Sequence, residues 1–143
     1  MVVLKKNFEA EGRGIVIKPW DTITQSDYTD WESILLQEFI DSSAGIPGIT
    51  DTHHDLRITV VNHTPINSFV RNPKEGSLLA NIGQGGSGRS VEIEDVPKEV
   101  LQMVSEIDQK CSQYEPCLYS ADFMLGQKGW RLIELNSRPG VQH

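Results

Sequence analysis

The sequence predicts an α+β domain, an antiparallel β-sheet with few helices; a mixed α/β arrangement is the alternative. Three observations lead there. Strand-like runs come early and in pairs around short turns. The clearest helical periodicity, over residues 97–113, comes late, and strands followed by a helix suit a segregated architecture. The 143 residues are one domain's worth, enough to bury a core without staples.

The elements follow in order. Residues 2–5 (VVLK) and 14–18 (GIVIK) read as two strands around a Gly-bearing turn, hence a hairpin. Residues 26–33 suit a short helix with Ser26 or Asp27 as N-cap. Residues 33–40 (SILLQEFI) are an almost continuous apolar run, expected to be a strand buried on both faces. After a loop over 41–54, DLRITVV (55–61) and INSFVR (66–71) are strands around the turn NHTP. Residues 72–90 form a long Gly-rich segment, a candidate working loop. In the late helix Pro97 suits the first turn, and Val100, Val104, Ile107 and Cys111 share one face. LYSADFML and GWRLIELN close the chain as strands around a Gln127-Lys128 turn.

A net charge of -7 argues against a nucleic-acid or anionic-membrane partner, which would want a basic face. It leaves room for a local basic pocket. The spacing of Cys111 and Cys117 fits no zinc or redox motif, so two reduced thiols in a cytoplasmic protein are expected. No apolar run reaches membrane-spanning length. A strand begins directly after Met1, and the chain stops soon after another. This suggests a piece of a longer protein or a compact relative of one. An exposed edge at residues 2–5 would invite strand pairing and a homodimer.

NIGQGGSGRS, residues 81–90, contains Gly-x-x-x-x-Gly-Arg-Ser, one residue from a P-loop. A P-loop needs a helix after its glycines, whose N–H groups hold the phosphates. Here RSVEIEDVP follows, and Val91, Ile93 and the proline read as extended chain. Arg89 is also a poor substitute for a compact lysine charge. The P-loop reading is rejected, and so is a dinucleotide-binding reading of Gly83, Gly85 and Gly88.

Three constellations carry chemistry. In IELNSRPG, Glu134 and Asn136 are two apart on a strand, so carboxylate and amide share a face and suit a hard cation such as magnesium. An odd-length turn near Gln127 would bring Asp122 opposite Glu134, a pair that repels unless something positive sits between. The bland alternative is a solvated hairpin with scattered acids. Second, Lys5 ends a strand before a loop holding Gly12 and Gly14, whose N–H groups could approach an anion, although an ordinary turn has the same composition. Third, Arg57, Arg71 and Arg138 lie at strand ends and would make a local anion site if they meet near a metal.

Taken in order, VVLK with EAEGRGIVI, ILLQEFI, DLRITVV with NSFVR, LLANIGQGG, SADFM and IELNSRPG resemble the ATP-grasp superfamily. The likeness is nearest to its ribosomal-protein glutamate ligase and glutathione synthetase-like branch. It runs nearly the full chain, and six pieces in the right order are specific where each alone is weak. The resemblance implies a partial ATP-grasp domain over residues 1–143. It implies ATP with magnesium, manganese being the alternative ion. Lys5 would contact the α- and β-phosphates, and the backbone around Gly12, Arg13 and Gly14 would cover them. Gln37, Glu38, Phe39 and Ile40 would receive adenine through backbone groups, and Glu38 or Asp41 the ribose. Asp122, Glu134 and Asn136 would hold two magnesium ions. Arg57, Arg71 and Asn81 would face the γ-phosphate and an acyl phosphate, and Arg138 the substrate carboxylate or the transferred phosphate. Residues 81–86 would be a mobile segment at the mouth of that site, with Arg89 outside its immediate contacts.

The implied reaction joins a carboxylate to an amine, from small-molecule or peptide substrates, with ATP going to ADP and phosphate. The departures are specific. The family's preceding domain and first lysine-bearing subdomain would lie upstream of Met1. Arg138 before Pro139 is closer to carboxylase-type members. SSAGIPGITDTHH lengthens the hinge loop, and His53 and His54 there are expected to be solvated rather than metal ligands. Two alternatives stand beside the ligase: a non-catalytic nucleotide-binding or interaction module of the same fold, and a plain α+β interaction domain.

Overall fold

A computed structural model describes residues 1–6, 14–80 and 85–140. Among them, strands form two antiparallel sheets. The smaller, three-stranded sheet has the order β2-β1-β3, from β1 (Val2–Lys6), β2 (Ile15–Lys18) and β3 (Ile34–Glu38). The larger, five-stranded sheet has the order β6-β5-β4-β7-β8. It comprises β4 (Asp55–Val61), β5 (Thr64–Asn72), β6 (Ser87–Val91), β7 (Leu118–Gly126) and β8 (Gly129–Asn136). The one α-helix among the described residues, α1 (Lys98–Cys111), lies where the 3.6-residue pattern puts it, with Pro97 at its N-cap and Val100 and Val104 buried.

Alternation sorts the large sheet into two faces. Leu56, Ile58 and Val60 of β4, Val70 of β5, Val91 of β6 and Tyr119, Ala121 and Phe123 of β7 are buried in one cluster with Val100 and Val104 of α1. Each fully buried aliphatic or aromatic side chain there stabilises by about 1.5–3 kcal/mol over exposure. The alternate residues, Asp55, Arg57, Arg71 and Asp122 among them, therefore face away from the helix.

Turn chemistry matches the expected hairpins. Asn62 and His63 both have positive φ (43° and 67°) between β4 and β5, a conformation the short polar side chain of Asn tolerates. Gln127-Lys128 joins β7 to β8, with Gly126 paired to Gly129.

Several expectations are corrected. Residues 26–33 are not a helix. A single 3-10 turn, Gln25–Asp27, forms there, with a capping box in which the Asp27 carboxylate accepts the Thr24 N–H at 2.8 Å, and the Lys18 ammonium donates to the same carboxylate at 2.6 Å. β3 is not buried on both faces. Among the described residues it is an edge strand paired only with β1, and Leu35 and Leu36 are each 49% exposed. Residues 2–5 are no free edge, because β1 sits between β2 and β3.

The loop before β4 is built, not solvated. Ile46 is 1% exposed and joins the core. His54 is fully buried against the edge of Trp130, ring centroids 6.2 Å apart. Its Nδ1 meets the Thr52 carbonyl at 3.1 Å and its Nε2 meets the Leu125 N–H at 3.2 Å. A carbonyl only accepts, so Nδ1 carries the proton and Nε2 is the acceptor. His54 thus pins the hinge loop to β7. Nearby, a Cβ at Gly126 would stand 2.8 Å from Ile40 Cγ2, so glycine is what lets the chain leaving β3 pass this close to β7.

Burial holds the His54 pKa below 6.5. As pH falls below about 6.5 the unfolded chain takes a proton that the folded chain resists, and stability is lost. Relative to His54→Gln, which keeps a donor and an acceptor but cannot charge, the native chain should lose stability as pH falls below about 6.5. Urea midpoints across that range measure it.

Candidate active site

The polar face of the large sheet is set out by strand register. Asp55 of β4 lies opposite Arg71 of β5, and Arg57 of β4 opposite Asp122 of β7. Asp122 in turn lies opposite Glu134 of β8, and Ser120 opposite Asn136. Arg57, Arg71, Asp122, Glu134 and Asn136 therefore come together on one face, as expected from the sequence. The cause differs from the odd-length turn anticipated. The turn has two residues, and a β-bulge between Asp122 and Phe123 leaves Ile133 as the extra residue. Without it Asp122 would face Ile133, and Glu134 would fall on the helix side.

Asp122 is 1% exposed and carries the densest contacts on this face. Arg57 donates to it in a fork, Nε to Oδ1 and Nη2 to Oδ2, both at 2.7 Å. Arg71 Nη2 donates to Oδ2 at 2.7 Å, while Arg71 Nε donates to Asp55 Oδ1 at 2.5 Å. Two guanidiniums and two carboxylates thus form one nearly water-free array. Burial pushes the Asp55 carboxyl up to about 7 against the pull of Arg71. Burial also works against the Arg71 charge, but Asp55 and Asp122 together hold its pKa above the ordinary arginine value. Three of the roughly four lone-pair positions of Asp122 are taken.

Glu134 is exposed and has no ion-pair partner among the described residues. Asn136 Nδ2 and Ser120 Oγ are buried without hydrogen-bond partners among the described residues. Among the described residues no group of three or more His, Cys, Asp and Glu side chains is arranged to hold a metal ion. The set Asp122, Glu134 and Asn136 instead offers two carboxylates and an amide oxygen. Oxygen donors on one face, beside an amide with an unmet hydrogen-bonding atom, fit a hard cation that keeps waters and takes its remaining ligands from phosphates.

The other candidates lie elsewhere. Lys5 is in the central strand of the small sheet, half-buried and without a partner among the described residues. Gly14 has φ 65°, and its carbonyl accepts the Lys6 N–H at 2.8 Å, closing the loop between β1 and β2. Gln37 and Glu38 end β3, and Phe39 and Ile40 lead into the hinge loop. Glu38 pairs with Lys128 at 3.3 Å on the surface, and Asp41 accepts the Ser43 N–H at 3.0 Å. Arg138 is exposed beyond β8. Gly12, Arg13 and Asn81 lie outside the described residues.

The P-loop rejection holds. Gly88 is followed by the rest of β6 and a 3-10 turn (Ile93–Asp95), not by a helix N-terminus. Arg89 points to the opposite face from Arg71, and its Nη2 donates to the Ile49 carbonyl at 2.7 Å. A Cβ at Gly88 would come within 2.4 Å of the Phe69 ring, so this glycine serves strand packing.

A family model described as the RimK-like ATP-grasp domain matches residues 1–143. The chain belongs to that family. It is 28% identical over 145 residues to a probable alpha-L-glutamate ligase of Parasynechococcus marenigrum (strain WH8102), covering 99% of this chain and 28% of the relative. It is 27% identical over 144 residues to a coenzyme gamma-F420-2:alpha-L-glutamate ligase of Methanococcus maripaludis, covering 99% of this chain and 46% of that protein. The RimK-like chain thus spans less than half the length of these relatives. In fold it resembles the D-alanine–D-alanine ligase of Bacillus anthracis complexed with ATP, TM-score 0.60 at 15% identity, covering 97% of this chain and 42% of that one. It also resembles the ATP-grasp ligase PsnB in a structure with Mg and ADP, TM-score 0.55 at 14% identity, covering 95% and 38%. Among the described residues no helix is long and apolar enough to cross a membrane.

Two residues of this face escaped the sequence reading. Asp55 is two before Arg57 in DLRITVV, so strand alternation alone would have placed it on the face of Arg57. Ser120 stands two before Asp122 in the same way.

Arg71→Leu should destabilise by about 3–5 kcal/mol in urea unfolding, since it strips a buried counter-charge from Asp122 and a hydrogen-bond donor from Asp55. Burial pushes the Asp55 carboxyl up to about 7 in the fold from the ordinary 3.8, which sets a second expectation. Between those values the folded state holds a proton that the unfolded chain has released, so stability falls as pH rises through about 7. Asp55→Asn should flatten that slope.

Proposed function

We propose that this RimK-like domain supplies the metal- and phosphate-binding face of an ATP-dependent carboxylate–amine ligase. The observation behind it is the register that sets Asp122, Glu134 and Asn136 on one face beside Arg57 and Arg71. Family membership and ligases among the relatives support the reading. Substrates would be a small-molecule or peptide carboxylate and an amine, with ATP going to ADP and phosphate.

Phosphoryl transfer needs in-line positioning and charge neutralisation more than covalent help. Arg57 and Arg71 would meet the γ-phosphate and, once the carboxylate has attacked it, the acyl phosphate. Lys5 would hold the α- and β-phosphates, with Gly12, Arg13 and Gly14 closing over them. Gln37, Glu38, Phe39 and Ile40 would line the adenine, with Glu38 or Asp41 at the ribose. Asn81 would face the γ-phosphate and the acyl phosphate with Arg57 and Arg71, and Arg138 the substrate carboxylate or the transferred phosphate. Asp122, Glu134 and Asn136 would hold magnesium or manganese, which supplies charge neutralisation at the phosphates. The amine then displaces phosphate and forms the amide.

One observation favours a second reading. Asp122 is already neutralised by two arginines, which suits a non-catalytic module whose charges hold the sheet together.

Glu134→Gln separates the two, because Glu134 is exposed and unpaired among the described residues and its loss should leave stability within about 0.5 kcal/mol. Calorimetric titration of a non-hydrolysable ATP analogue should show magnesium-dependent binding that EDTA abolishes. Glu134→Gln should weaken it at least about 10-fold, on the scale of lost metal affinity. Binding indifferent to both EDTA and Glu134→Gln would support the non-catalytic module.

A further inference from the structure

Ser120 Oγ and Asn136 Nδ2 are buried polar atoms without partners among the described residues, and their residues lie directly opposite each other on β7 and β8. Ser120 is 0% exposed. A native structure seldom leaves buried polar atoms unpaired, and a neighbouring pair of them asks for a cause. The two are complementary, since an amide nitrogen carries two N–H donors and a serine oxygen accepts. Opposed residues of an antiparallel pair have Cβ atoms about 4.5–5.5 Å apart, so a rotation of the Asn136 side chain brings the atoms together. Thr59, the neighbour of Ser120 on β4, does not bond to the hydroxyl.

We propose that Ser120 is a positioning residue for Asn136, accepting a hydrogen bond from Nδ2 when Oδ1 turns to a divalent cation. The inference rests on the ligand set proposed above. An asparagine can present oxygen or nitrogen, and only oxygen binds a hard cation. A hydroxyl that captures the nitrogen decides the orientation. Outer partners of this kind tune metal affinity through the ligand they hold.

The test is Mn2+ binding to the full chain in the presence of ADP, read from the free-ion electron paramagnetic resonance signal, beside melting without metal. Ser120→Ala should bind Mn2+ about 10-fold more weakly. Its metal-free melting temperature should equal or exceed the native one, because an unsatisfied buried hydroxyl has been removed. A merely structural serine would lower the melting temperature along with affinity, and that parallel fall overturns the proposal. In an Asn136→Ala background Ser120→Ala should have no further effect on affinity. An equal further loss there, or native affinity in the single variant, overturns the proposal and leaves the ligand set standing. No Mn2+ binding by the native chain overturns the ligand set itself, and this inference with it.

Discussion

The buried carboxylate of Asp122 is the constraint around which the large sheet is arranged. A charge that is 1% exposed in mid-sheet needs opposite charge within hydrogen-bonding distance, and Arg57 and Arg71 supply it. Arg71 is held in turn by Asp55. One array therefore ties β4, β5 and β7 on the face that lacks a helix, while apolar packing against α1 ties the same strands on the other. In the proposed function this array has a further consequence. A phosphate would meet arginines committed to Asp122, and a cation would meet a carboxylate already neutralised. Phosphate and cation arriving together exchange those contacts without stranding a charge.

Segregation of the two faces is what turns a stable sheet into a site. Period-two alternation sends every second residue of β4 and β7 to the core, so the residues between them must tolerate one another. The β-bulge at Ile133 extends the polar row to Glu134 and Asn136 by correcting a parity that the tight Gln127-Lys128 turn would otherwise set wrongly. A single extra residue decides whether two oxygen donors join Asp122 or turn to the helix side. The loop before β4 contributes from a distance, since His54 fixes it to β7 and Ile46 anchors it in the core.

Much of this was legible in the sequence. The hairpins and α1 were, because periodicity and turn residues are local signals. So was the shared face of Glu134 and Asn136, which needs only alternation. The order of the motifs carried the family. What escaped was non-local. The apolar run of β3 gave no sign that it would be an edge strand with exposed leucines, since composition does not report a strand's place in its sheet. The bulge left no mark in GWRLIELN. His54 read as a solvated loop residue because its partners, Trp130 and the Leu125 N–H, are more than seventy residues away. Asp55 was overlooked although its spacing from Arg57 was visible. The capping box at Thr24 and Asp27 is a local helix-start signal, yet only one 3-10 turn follows it.

The central claim is that the polar face around Asp122 is where a cation and nucleotide phosphates meet. Paramagnetic broadening of backbone amide resonances by Mn2+ with ADP, on the full chain, tests it most directly. The account predicts that signals of Ser120, Asp122, Glu134 and Asn136 broaden first, while those of Val100 and Val104 on α1 persist. Broadening centred on α1, or spread evenly over the surface acids, would contradict it.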